Sequence, residues 1–221
     1  MNIKNTLNCG LEILSNFNIN NSILDSELLL AKAIKKDRQY VVLNSKENID
    51  KNSLNIFFNL IKRRKKGEPI AYLTNKKEFW NEIFYIDKNV LIPRPDTEII
   101  IEQLLKISLK RSQLQVLDIG VGSGCILLSL LKERPNFYGT GIDICKNSIN
   151  ISKYNAKMLH LENRIRFFHS GIDNFNLGKY DIVVSNPPYI EFLKLKYLDK
   201  DVFNYEPKLA LNGGLDGFSM I

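Results

Sequence analysis

The sequence predicts an α/β fold, an open and largely parallel sheet with helices on both faces, preceded by a small all-α helical bundle. Three observations carry this. From Gln115 onward short apolar runs alternate with helical stretches, giving strands at Gln115–Ile119, Phe137–Ile142, Arg164–Phe168 and Tyr180–Ser185, and helices at Cys125–Lys132 and Lys146–Leu159. The first of these strands runs directly into a glycine-rich turn. The first 75 residues, by contrast, carry apolar residues at helical spacing.

In that leading part, Leu28, Leu29, Leu30, Ala31 and Ile34 define one helical face. Leu54, Phe57, Phe58, Leu60 and Ile61 define another, beyond the polar stretch from Asn44 to Asn52. The run Lys62-Arg63-Arg64-Lys65-Lys66 reads as a solvated helix end, because Gly67 follows it and cations suit the last turn of a helix. Residues 1–75 are therefore expected to be one bundle, residues 76–98 a β-hairpin connector, and residues 99–221 the α/β domain. Glu78 to Asp87 reads as the hairpin, and Asn75 suits a left-handed turn before it. Then Asp96 or Thr97 is expected to cap the helix marked by Ile99, Ile100, Leu104 and Leu105, with Glu98 in its first turn.

Three motifs carry chemistry. In Val116-Leu117-Asp118-Ile119-Gly120-Val121-Gly122-Ser123-Gly124, Gly120 and Gly122 allow a tight turn and close approach of a ligand, and Gly124 is expected to let the next helix pack against the strand. Asp143 ends the following strand about 20 residues on, where nucleotide-binding folds place an acid that accepts ribose hydroxyls; a helix cap for the segment near Lys146 is the structural alternative. Asn186-Pro187-Pro188-Tyr189 ends the last strand. Two prolines fix φ and remove two donors, so the tip can accept both hydrogens of a planar NH2 group beside an aromatic wall, or simply end a strand. The carboxyl ends of all four strands, with Gly120, Asp143, Ser170 to Asp173 and Asn186, are expected to meet at one crevice.

These motifs, with Asp25-Ser26-Glu27-Leu28-Leu29-Leu30-Ala31, Gly67-Glu68-Pro69-Ile70-Ala71-Tyr72-Leu73, Glu78-Phe79-Trp80, Ile92-Pro93-Arg94-Pro95 and Tyr205-Glu206-Pro207, resemble the HemK/PrmC family of protein-(glutamine-N5) methyltransferases. The resemblance covers nearly the whole chain from about Asp25. It implies a Rossmann-like class I methyltransferase sheet and S-adenosyl-L-methionine as cofactor. The implied reaction is methylation of the side-chain amide of the glutamine in the GGQ motif of a bacterial-type peptide-chain release factor. It further implies Asn186 and Pro187 as catalytic acceptors, Asn186, Pro187, Pro188 and Tyr189 around the substrate glutamine, and a substrate-recognising role for the bundle. The cofactor would lie against Asp118, Ile119, Gly120, Val121, Gly122, Asp143, Ile172 and Asn186. Asp118 could instead be structural, accepting backbone N–H groups of the glycine turn.

The chain departs from the family pattern at Ser170-Gly171-Ile172-Asp173, where an acid is usual directly after the serine; Ile172 can still cover the adenine. Family members also continue beyond Gly213-Gly214-Leu215-Asp216-Gly217. This implies that C-terminal strands are missing, leaving Ile182-Val183-Val184 as an exposed edge.

Composition agrees with a cytoplasmic enzyme: 221 residues, 44% apolar and 25% charged. Three cysteines without metal spacing imply a reducing compartment, and two histidines imply neither a metal centre nor a histidine triad. No membrane and no direct nucleic-acid substrate are expected. A net charge of +7 nevertheless keeps a nucleic-acid adenine amine as an alternative substrate. A ribosomal large-subunit protein is another, and a non-catalytic remnant that only binds is the third.

Overall fold

The structure, a computed structural model, describes residues 1–219, which divide into two compact units. The first comprises residues 1–75 together with residues 200–205, and the second comprises residues 76–199 and the described residues from 206 on.

In the first unit the chain forms α1 (Ile3–Ser15), α2 (Ser22–Ile34), α3 (Arg38–Leu43), α4 (Lys51–Arg64) and α5 (Ile70–Thr74). Short polar side chains start three of them: Asn2 accepts from the Asn5 amide, Asp37 from Tyr40 and Asp50 from Ser53. Each satisfies a donor that the first helical turn leaves free. Leu14, Leu29, Leu30, Val41, Phe57 and Ile61 make the core. Phe58 departs from the expected buried face, standing edge-on to Phe57 with 36% of its surface exposed. The basic run is only partly solvated, since Arg64 pairs with the buried Asp25 (2.6 Å), Arg63 pairs with Glu68, and Lys65 sits 4.7 Å over the Phe17 ring. The residues 200–205 helix joins this unit, with Tyr205 donating to the Lys66 carbonyl.

The second unit opens with a hairpin, β1 (Lys76–Phe79) and β2 (Glu82–Tyr85). Asn75 takes the left-handed conformation (φ 59°), and Trp80 and Asn81 turn the hairpin at φ 50° and 59°. A tryptophan is unfavourable there. It is held because its amide donates to Glu98 and its indole N–H to Glu133. Glu98 therefore serves the hairpin. The expected cap of α6 (Glu98–Ile107) is absent: neither Asp96 nor Thr97 caps it by side chain, and a 3-10 turn at Pro95–Thr97 leads in instead.

Next come β3 (Gln115–Ile119), α7 (Cys125–Glu133), β4 (Tyr138–Asp143), α8 (Lys146–Met158), β5 (Ile165–His169) and β6 (Ile182–Ser185). All pairs in this sheet are parallel, in the order β5-β4-β3-β6. The expected alternation is thus present, with strand ends shifted by one or two residues. The chain winds outward from β3 to β5 and then crosses back to place β6 on the other side of β3. That reversal opens a crevice at the carboxyl ends of the strands. Among the described residues β6 is an edge, and its Val183 is 58% exposed.

Candidate active site

Glycine at two positions makes the turn after β3 possible. Gly120 and Gly122 sit at φ 73° and 56°, and a Cβ on Gly120 would meet nothing within 4 Å. That side of the turn is therefore open to a ligand. The other side is anchored, because the amides of Gly120 and Val121 both donate to the Ile142 carbonyl and the Gly122 amide donates to Asp143 Oδ2 (2.9 Å). The expected role of Gly124 changes: a Cβ there would strike Leu128 of its own helix and approach Ser152 of α8, so the crowding is between helices and not against the strand.

Asp118 is buried and both its carboxylate oxygens lack a hydrogen-bond partner among the described residues. Burial, reinforced by the charge of Asp143, pushes its pKa up to about 8; the Leu127 amide opposes this but not at hydrogen-bond geometry. The reading of Asp118 as a brace for the glycine turn therefore fails. A buried acceptor with no donor is costly, and a cation would relieve it.

Asp143 differs in kind. Its Oδ2 accepts from Gly122 and its Oδ1 from Cys145 (2.8 Å). Burial raises its pKa, while those two amides and His169 act against the rise. It is no side-chain cap for α8, whose N-cap is Cys145. Of two neighbouring acids, Asp143 thus has two backbone donors to its carboxylate and Asp118 has none.

On the far side of β3, Ile119 pairs with Ser185, and Ser185 Oγ donates to the Ile119 carbonyl (2.9 Å). Asn186 follows at once, so the Asn-Pro-Pro-Tyr tip leaves the sheet beside the glycine turn. Among the described residues the Asn186 side chain finds no hydrogen-bond partner, the two prolines are half-buried and Tyr189 is exposed. Beyond the tip, Ile190 bonds to Leu211 and Gly213. The Gly213–Gly217 loop wraps the Tyr189 backbone so closely that a Cβ on Gly213 would come within 2.8 Å of Tyr189 Cα.

Ile172 lies in a 3-10 turn after β5, half exposed at 48%. Asp173 is exposed. The Val121 side chain is buried. Three further polar residues join this end, of which only Glu206 lies in a motif that the sequence offered. Glu206, buried, accepts from Arg94 and from the Ile92 amide, tying the Pro93-Arg94-Pro95 segment in place; Ser152 and Asn155 of α8 hold the glycine turn from behind. A separate open cleft of about 380 Å3 lies at the hairpin, lined by Lys77, Glu78, Trp80, Asn81 and Glu98. None of those residues stands at a carboxyl end of the parallel sheet. No cluster of metal-ligating side chains occurs among the described residues, and no helix there is long and apolar enough to cross a membrane.

Comparison with known proteins gives the class. The family described as PrmC N-terminal domain matches residues 5–74, and that described as methyltransferase small domain matches residues 95–205. A release factor glutamine methyltransferase from Clostridium acetobutylicum is 40% identical over 225 residues, covering 98% of this chain and 77% of the relative. Another, from Buchnera aphidicola subsp. Baizongia pistaciae, is 41% identical over 202 residues, covering 90% and 71%. A solved SAM-dependent methyltransferase from Geobacter sulfurreducens, in complex with S-adenosyl-L-homocysteine, superposes on 42% of this chain and 36% of its own at 24% identity and a TM-score of 0.36. The protein is an S-adenosyl-L-methionine-dependent methyltransferase. Within that class, the chain belongs to the family of release factor glutamine methyltransferases.

Proposed function

We propose that this protein acts in the cytoplasm to methylate the side-chain amide nitrogen of the glutamine in the GGQ motif of a peptide-chain release factor. The observation that carries this reading is the pairing of Ile119 with Ser185, which sets an amide-accepting tip next to an open glycine turn on one sheet end.

The residues present fit S-adenosyl-L-methionine. The open side of Gly120 leaves room for it, the unpartnered Asp118 carboxyl suits its ammonium group, and the free lone pairs of Asp143 suit its ribose hydroxyls. The stretch from Asp118 to Gly122 would hold the methionine portion and Ile172 would cover the adenine. When bound, this cofactor supplies an electrophilic methyl group on a sulfonium sulfur.

An amide nitrogen is a poor nucleophile because its lone pair is delocalised, so positioning must supply much of the rate. Asn186 Oδ1 and the Pro187 carbonyl accept the two amide hydrogens and stabilise positive charge as it builds on nitrogen. Pro188 and Tyr189 wall the glutamine side chain. The free Asn186 amide and the exposed Tyr189 ring support this assignment. The bundle of residues 1–75 recognises the protein substrate, residues 76–98 connect, and residues 99–221 carry the transfer.

Incubation with methyl-labelled cofactor tests the reading. A release factor should take up label and lose it when the GGQ glutamine is changed to alanine. Equal labelling of DNA or of a ribosomal large-subunit protein would overturn it.

A further inference from the structure

Helix α8 presents a buried polar stripe. Ser148, Ser152 and Asn155, spaced to share one helical face, are exposed by 4%, 0% and 1%. A helix packed against a sheet ordinarily carries apolar residues there. Here the stripe addresses backbone. Ser152 Oγ donates to the Gly122 carbonyl (2.7 Å), and Asn155 Nδ2 donates to the Ser123 carbonyl (2.8 Å). The same Nδ2 also donates to the Tyr85 carbonyl (2.9 Å), while Asn155 Oδ1 accepts the Tyr85 amide (2.8 Å). One buried side chain thus bonds the glycine turn and strand β2 at once, with every donor and its acceptor used.

The geometry has a direct consequence for the turn. Within a planar trans peptide the carbonyl and the next N–H point in opposite directions, so drawing the Gly122 carbonyl toward α8 directs the Ser123 amide away from it. On its other side the same residue donates its own amide to Asp143. Ser152 therefore fixes the orientation of a residue that also aims the Asp143 carboxylate. At φ 56° and without a Cβ, Gly122 has little of its own to hold that orientation.

We propose that Ser152 and Asn155 are positioning residues for the cofactor, and that Asn155 makes the β1–β2 hairpin part of the cofactor site. Neither side chain touches the cofactor. Both act by holding the Gly122 and Ser123 carbonyls, and Asn155 transmits order between the turn and Tyr85 in either direction. The proposal rests on the glycine turn being the cofactor site.

Calorimetry with S-adenosyl-L-homocysteine on the full chain, alongside thermal unfolding, tests it. Ser152→Ala should weaken binding about tenfold, because one preorganising hydrogen bond is lost from a strained turn. Asn155→Asp, which keeps the shape but loses both donors, should weaken it at least as much. Ala156→Gly, on the same helix, should lower the unfolding midpoint without changing affinity. Hydrogen exchange supplies a readout that simple destabilisation does not move: the Tyr85 amide should gain protection when the cofactor product binds, and Asn155→Asp should abolish the gain. An affinity unchanged in Ser152→Ala, or equally weakened in Ala156→Gly, would overturn the positioning role. Tyr85 protection indifferent to ligand would overturn the hairpin coupling. Asp143→Ala keeps the two ideas apart: if it weakens binding while Ser152→Ala does not, only the positioning proposal falls, and if neither does, the cofactor site itself is misassigned.

Discussion

Two acids on neighbouring strands sit in different surroundings, one with backbone donors and one without, and this governs how the site responds to pH. Asp118, buried with no donor, keeps its proton up to about pH 8, whereas in the unfolded chain it ionises near 4. Between those values the native state binds more protons than the unfolded state, so this group's contribution to stability falls as pH rises from about 4 to about 8 and levels off above. Urea unfolding from pH 5 to 8 without cofactor should show that decline. Asp118→Asn should flatten it, and a variant that keeps the full slope would refute the assignment. At Asp143 the expectation concerns affinity, since Asp143→Ala removes a charge-assisted acceptor and should cost about 1.5–3 kcal/mol of cofactor binding by calorimetry. Asn186→Ala should leave that affinity largely intact and lower turnover by roughly 100-fold, about 3 kcal/mol, because its oxygen acts mainly as charge builds in the transition state. Normal turnover in that variant would remove Asn186 from the mechanism. The positions of Asp143 and Asn186 at strand ends were legible because each sits at a change of pattern from apolar run to polar tip, and Asp118 was legible as the acid just before the glycine turn. The protonation state of Asp118 was not, since it depends on the absence of any donor within reach in three dimensions.

At the scale of elements, the four parallel strands and the helices between them were legible because apolar runs and helical spacing are local properties of the chain. What was not legible is which polar residues turn inward. Asn155 in Lys153-Tyr154-Asn155-Ala156 belongs to no motif in the sequence, and its burial is set by the approach of β2 and the glycine turn. Glu98 was read as a first-turn acid of α6, yet it holds a left-handed Trp80. In α2, Asp25 looks like a favourable charge near a helix start, whereas it is 3% exposed and paired with Arg64 from α4. Losing one partner of such a pair leaves an uncompensated buried charge. Arg64→Ala should therefore lower stability by about 3 kcal/mol or more, read from urea unfolding, while Lys62→Ala on the exposed side of the same helix end should change it little.

At the scale of the whole molecule, the sheet order β5-β4-β3-β6 explains why motifs 66 residues apart lie side by side, with Ser185 bonded to Ile119, and why the sequence anticipated a crevice without the lining that supports it. The same order leaves β6 with an open side among the described residues, and its outward Val183 is 58% exposed. An apolar edge strand offers unpaired N–H and C=O groups to another chain, so self-association through β6 is the expected route to insolubility. Charge on such a strand is the usual defence against it. Val183→Lys should therefore raise the concentration at which the protein stays monodisperse by light scattering, while cofactor affinity remains that of the parent, because position 183 points away from the buried face carrying Val184 and pairs with Leu117, short of the sheet end where the site lies. If Val183→Lys instead weakened cofactor binding as strongly as Asp143→Ala, the edge and the site would be one surface, and the separation drawn between them would be wrong.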